Sequence, residues 1–377
     1  MVQSTTPASG GTVPDSGEPL LRTVDLTRHF RLGGFRSRDI LHAVDGFSMT
    51  IGEREIVAVV GESGSGKTTV ARLLTMIYPP TRGTIYYRGR AVNHLHSRRD
   101  ILWYRGEVPL VFQDPYSAMN PVFRVSHGVM RSLKLHRPEL DRAGRQREAQ
   151  RVFDTVGLSP DMLAKFPYEM SGGQRQRVGF AQALAVQPRL ILADEPVSML
   201  DVSIRAGVLN MMARLREDEG VSLLYITHDL ASARYVADRI IVMYAGHQVE
   251  SGPADAVLSQ PRHPYTQLLL SAAPDPREEP VDIPADSGEP PRVINPAEGC
   301  RFRQRCPLAI EECARVTPQL SPVEPGHDVA CHVASADVEA NRPPRLAFSV
   351  KMPSAASLAT APRASGATRP AGGIRHD

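Results

Sequence analysis

The sequence predicts an α/β protein whose core is a mostly parallel sheet covered by helices on both faces. Three observations predict it. Short apolar runs recur at residues 55–60, 190–193, 223–226 and 240–243, each long enough for one buried strand. Amphipathic stretches separate them, as when Ile204, Val208, Met211 and Leu215 mark one face of a helix between the second and third runs. A glycine-rich turn, Gly61-Glu62-Ser63-Gly64-Ser65-Gly66-Lys67-Thr68, joins the first run to a helical pattern.

Taken in order, residues 1–19 are rich in Ser, Thr, Gly and Pro and predict a mobile tail. Phe47, Met49 and Ile51 alternate with polar residues, which predicts a half-exposed antiparallel strand leading into the buried strand at 55–60. After the glycine-rich turn, Val70, Leu73, Leu74 and Ile77 fall at i, i+3, i+4 and i+7, a helix packing one face. Residues 84–87 read as another short strand, and residues 124–187 as a polar, helical region. Beyond about residue 275 proline becomes frequent, and all four cysteines lie in this last third. Residues 343–377, rich in Ala, Pro, Ser and Arg, predict a second tail.

The bulk numbers exclude several classes. The chain has 377 residues, 42% apolar and 23% charged, enough for one large α/β domain and an appendage. A formal net charge of +3 is too small to point to nucleic acid as a partner. There is no run of 18 apolar residues to span a bilayer and no secretory signal pattern, so the chain is expected in the cytosol.

The turn at Gly61–Thr68 fits the Walker A pattern at every fixed position. Strand, glycine turn and helix N-terminus form a phosphate cradle, because glycines let the backbone approach the anion and the first helical N–H groups are unpaired. Lys67 is expected to reach the terminal phosphates and the Thr68 hydroxyl to face Mg²⁺, with Thr69 next in the helix. A second phosphate site is predicted where the apolar run at 190–193 ends in Asp194 and Glu195. Acidic residues at the C-terminal edge of a parallel sheet point into the ligand crevice. Asp194 suits Mg²⁺ held through water, and Glu195 suits polarisation of an attacking water.

Ser171-Gly172-Gly173-Gln174, opening a helix, narrows the field. With it the chain resembles the ATP-binding cassette (ABC) ATPases over roughly residues 20–275. The resemblance implies an ABC-type P-loop ATPase domain: a mostly parallel sheet core, a helical subdomain at about 114–187 and an antiparallel β subdomain. Met170 stands where the family usually has Leu. In this family two cassettes stack head to tail, and the serine–glycine tip of one closes over the γ-phosphate held by the other. The resemblance implies further roles: Gln113 contacting Mg²⁺ and water, His228 contacting the γ-phosphate, Asp201 across the dimer interface, and Phe30 stacking on adenine, with Phe35 as a rival.

Two blocks carry the resemblance to the oligopeptide and dipeptide permease branch: residues 113–121, and His263-Pro264-Tyr265-Thr266, which alone reads as a proline-initiated helix with an apolar face. It implies an importer motor working with a second, paralogous ATPase, two integral membrane permease subunits and an extracellular binding protein, at the cytoplasmic face of the membrane. Oligosaccharide and nickel importers share the pattern. A soluble, non-transport ABC ATPase is the competing reading, but paired cassettes and long coiled-coil insertions are not visible.

Residues 276–342 then form a small C-terminal module. Cys300, Cys306, Cys313 and Cys331 are spaced C-x5-C-x6-C-x17-C, without the close pairs of zinc knuckles. Iron–sulfur, zinc and unligated thiols all remain open from the residues. The segment 299–307 resembles the permease C-terminal region in which some members carry a four-iron cluster, which implies a 4Fe–4S site. Arg301, Arg303 and Arg305 suit either a negatively charged centre or a solvated basic face, and His327 and His332 are spare ligands.

Overall fold

A computed structural model describes residues 17–33, 37–114, 119–272 and 292–348. Most of both expected tails lies outside the described residues, as does Phe35. The strands are β1 Leu21–Arg31, β2 Ile40–Ile51, β3 Ile56–Val60, β4 Arg82–Tyr87, β5 Arg90–Ala91, β6 Leu110–Val111, β7 Leu190–Asp194, β8 Ser222–Thr227, β9 Arg239–Tyr244, β10 His247–Pro253, β11 Ser321–Glu324 and β12 His327–Val329. The helices used below are α1 Lys67–Leu74, α2 Arg98–Glu107, α3 Val125–His136, α4 Arg142–Thr155, α5 Gly172–Leu184, α6 Val202–Glu217, α7 Leu230–Val236, α8 Ala254–Ser259, α9 Pro264–Ser271 and α10 His332–Glu339.

Two sheets result. The smaller runs β2-β1-β4-β5 and its pairings are antiparallel. The larger runs β11-β12-β10-β9-β3-β8-β7-β6. Its β9-β3-β8-β7-β6 part is parallel, as the continuous apolar runs predicted. Alternation along β3 shows why: Ile56, Ala58 and Val60 enter one core, while Val57 and Val59 enter another on the opposite face. The first core takes residues from α3 to α6, and the second takes α1 and the antiparallel sheet.

Two features depart from the sequence reading. The helix after the glycine turn stops at Leu74, and Ile77 lies 45% exposed outside it. Thr75 caps the helix and Met76 takes a positive φ of 55°, so the chain turns away before Ile77 reaches the packed face. The larger sheet also does not end with the core: β12 pairs antiparallel with β10, so the proline-rich C-terminal segment extends it by two strands. The same segment reaches the smaller sheet, where His42 N–H donates to the Val293 carbonyl at 2.9 Å.

Candidate functional site

Four neighbouring parallel strands deliver the predicted chemistry from their C-terminal ends. β3 leads into the glycine turn, β7 ends on Asp194 with Glu195 next, β8 leads into His228, and β6 leads to Gln113. Chain direction alone therefore gathers residues more than 160 apart in sequence at one sheet edge, the crevice where open α/β sheets bind ligands.

Gly61 and Gly66 of the turn are required by close approach. A Cβ on Gly61 would lie 2.2 Å from the Met243 carbonyl oxygen, and one on Gly66 would lie 2.3 Å from that of Ala43. Gly66 also caps α1 with a φ of 105°. Lys67 is 4% exposed, and its Nζ donates to the carbonyls of Gly61 at 2.7 Å and Glu62 at 2.9 Å. Burial pulls the Lys67 pKa down, against the opposing pull of Glu195, Asp194 and Glu62. The Thr68 hydroxyl donates to Asp194 Oδ1 at 3.2 Å. Burial pushes the Asp194 carboxyl up, with the Thr68 hydrogen bond acting the other way.

Glu195 is where the separate strands meet. Its carboxylate Oε2 accepts from Gln113 Nε2 at 3.0 Å and lies 3.3 Å from His228 Nδ1. Its backbone takes a φ of 47°, a conformation a non-glycine residue rarely holds, with its N–H donating to the Ile226 carbonyl at 2.9 Å. Strain at such a position persists only where the surroundings fix it, and β8 supplies the fixing bond here. His228 is 54% exposed and Gln113 is exposed, so the open side of the glutamate faces solvent where a substrate can enter.

The serine–glycine tip forms a separate group. Ser171 caps α5 in a reciprocal box: its Oγ accepts from Gln174 N–H, and Gln174 Oε1 accepts from Ser171 N–H at 3.0 Å. Gly172 and Gly173 let α5 close on the next segment, since a Cβ on Gly173 would lie 2.2 Å from Ile204 Cγ2 and one on Gly172 3.3 Å from Leu200 Cδ2. Asp201 caps α6 without a side-chain bond and is exposed, between Met199 at 66% and Val202 at 81% exposure. Phe30 lies on β1, edge-on to Tyr78 at 5.3 Å, with the Arg28 guanidinium 4.5 Å from its ring centre.

The four cysteines line one small pocket together with His332. Burial pushes the Cys300 thiol up to about 11 and the Cys306 thiol to about 12, so both stay protonated unless a cation draws off the proton. His327 is not among the residues lining this cavity: it is buried, with Nε2 2.7 Å from Glu250 Oε1. Arg301 and Arg305 do not form a basic face around the thiols. Arg301 pairs with Asp45, and Arg305 forms two bonds to Glu62 at 2.9 and 3.0 Å. Sequence reading missed both pairs, and also the 2.7 Å bond that Glu62 N–H donates to the Tyr265 hydroxyl. Partners 203 and 243 residues away leave no local signal.

A glycine turn opening a helix, a buried aspartate on its threonine, and a glutamate beside a glutamine and a histidine are the arrangement expected of an ATPase of the ABC class. The comparisons agree. The family model for the ABC transporter matches residues 44–198, and the model for the oligopeptide/dipeptide transporter C-terminal region matches residues 249–313. The "Probable peptide ABC transporter ATP-binding protein y4tS" of Sinorhizobium fredii is 41% identical over 342 residues, covering 89% of this chain and 96% of that protein. The dipeptide transport ATP-binding protein DppF of Escherichia coli is 40% identical over 331 residues, covering 86% and 97%. Among solved structures, a dimeric ATP-binding cassette with bound ADP and Pi is 27% identical with a TM-score of 0.56, covering 62% of this chain and 98% of that one. The chain belongs to the ABC transporter ATP-binding proteins of the oligopeptide/dipeptide permease subfamily.

Proposed function

We infer that the chain is the ATP-hydrolysing subunit of a peptide importer. The observation that carries this is the convergence of Gln113, Glu195 and His228 beside the Lys67 loop, in a chain whose C-terminal region matches that of oligopeptide transporters. Glu195 orients the attacking water and accepts its proton, while Gln113 and His228 hold the carboxylate in place. Lys67 leaves the Gly61 and Glu62 carbonyls for the terminal phosphates. Thr68 and Asp194, an oxygen pair 3.2 Å apart and partly enclosed, fit Mg²⁺. Bound there, the ion neutralises charge on the phosphate oxygens. Positioning and charge stabilisation supply most of the rate in such chemistry.

Ser171 and the glycines beside it sit at a helix N-terminus, a ready anion site. In our reading they close on the nucleotide of a second, paralogous cassette, and Asp201 with its exposed apolar neighbours is covered in the same step. Val122, Phe123 and Tyr168, in the helical region, are 74%, 45% and 63% exposed, and we place the contact with the membrane permease subunits in that region. No helix among the described residues is long and apolar enough to cross a membrane. The chain would sit on the cytoplasmic face as a peripheral subunit, with an extracellular binding protein delivering peptide. Affinity capture of the tagged chain from solubilised native membranes is expected to recover two polytopic permease subunits and a second cassette. Recovery free of any membrane protein would refute the transport role.

The cysteine cavity fits a metal centre by its donors: four sulfurs on one lining, in a module without a large core of its own. No three of the thiols lie within 4.8 Å of one another among the described residues. Zinc and an iron–sulfur cluster both accept four thiolates, and the likeness of residues 299–307 to the permease C-terminal region favours the cluster. The cluster would tie distant segments of the module together. Protein purified without oxygen is expected to be brown and to contain iron and sulfide. Cys306→Ser is expected to bleach it. A colourless parent protein with zinc, or with no metal, would rule the cluster out.

A further inference from the structure

The turn from Cys300 to Cys306 is docked directly behind the phosphate loop. Phe302 is 1% exposed and packs against Tyr244 and Tyr265, with ring centres 5.2 and 5.5 Å away. On one side of it Arg301 reaches Asp45 and the Ala245 carbonyl. On the other Arg305 clamps both carboxylate oxygens of Glu62, the second residue of the Walker A turn. Tyr265, fully buried on α9, accepts the Glu62 N–H. The third polar group of Glu62, its carbonyl, accepts from Lys67 Nζ. Every hydrogen-bonding group of this residue is thus engaged, two of them by the C-terminal region and one by the lysine that must reach ATP.

We propose that Arg305 and Tyr265 are positioning residues for ATP, acting through Glu62. Two physical effects combine. The Tyr265 hydroxyl and the Arg305 fork fix the peptide unit on which Lys67 rests, so the loop is held in shape before nucleotide arrives. Arg305 also neutralises a carboxylate near enough to act on the Lys67 charge, where an unpaired negative charge would repel the ligand. The C-terminal module therefore contributes to nucleotide affinity whether or not its thiols hold a cluster. The inference rests on the Walker A loop being the ATP site; a parent chain that binds no ATP would overturn that reading, whereas the variants below test the positioning role.

The test is nucleotide affinity of the full chain, by competition against a fluorescent ATP analogue, together with kcat and KM in the two-cassette complex. Arg305→Met is expected to weaken MgATP binding and raise KM by about tenfold while kcat stays within about twofold. Adding Glu62→Gln to Arg305→Met is expected to recover part of the affinity by removing the unpaired charge. Tyr265→Phe, which keeps the ring and its packing, is expected to raise KM by a few-fold on its own. Unchanged affinity in Arg305→Met overturns the proposal, as does an equal fall of kcat and kcat/KM with KM unmoved. Should Arg305→Met fail to fold, Tyr265→Phe decides: parental affinity in that variant overturns the proposal.

Discussion

Glu195→Gln is expected to lower steady-state ATP turnover by about a thousandfold, the order a lost general base costs, while ATP still binds. The geometry separates the two properties. Binding draws on the Gly61–Thr68 loop and Asp194, none of which the amide disturbs, and a glutamine can still accept from Gln113. What disappears is the basic oxygen between Gln113 and His228 that takes the proton from water. Single-turnover assays with labelled ATP check this. Near-parental turnover would remove Glu195 from the role of base and leave only its hydrogen bonds to explain.

Gly66→Ala is expected to weaken nucleotide binding rather than turnover. The new methyl would stand 2.3 Å from the Ala43 carbonyl oxygen, a backbone atom of β2 that cannot swing aside as a side chain could. The φ of 105° adds strain for any residue with a Cβ. Distorting the cap of α1 by a few kcal/mol corresponds to about a hundredfold weaker nucleotide binding. Gly64 is the internal control: its φ of 78° is also positive, but nothing lies within 4 Å of its missing Cβ. Gly64→Ala should therefore lose much less affinity in the same titration. Equal losses in the two variants would mean that backbone conformation alone, and not close packing against β2, sets the requirement.

The catalytic strands were legible because their signals are local. A run such as Ile56–Val60 is apolar throughout because it is buried on both faces, and the residue that leaves such a strand at its C-terminal end must enter the crevice. Gln113 and His228 were carried by the resemblance to the ABC ATPases rather than by a local pattern. Ile77 was misread for a local reason as well: the 3.6-residue period continues past Leu74, and only the turn at Thr75 and Met76 breaks it. The C-terminal strands escaped notice because β11 and β12 are four and three residues long, too short for an alternation to register. Tyr265 and Arg305 escaped for a different reason. Each fits a bland local pattern, an apolar helix face and a basic run, and their meaning comes from partners that only the folded chain supplies.

In the proposed mechanism ATP is closed between the lysine loop of one cassette and the serine–glycine tip of another. Sedimentation of the Glu195→Gln chain with its second cassette tests it most directly. MgATP should drive the two into one species, ADP should not, and Ser171→Arg should block association while leaving ATP bound to its own chain. A nucleotide-loaded single cassette that stays alone at saturating MgATP, or a paired species indifferent to Ser171→Arg, would contradict the account.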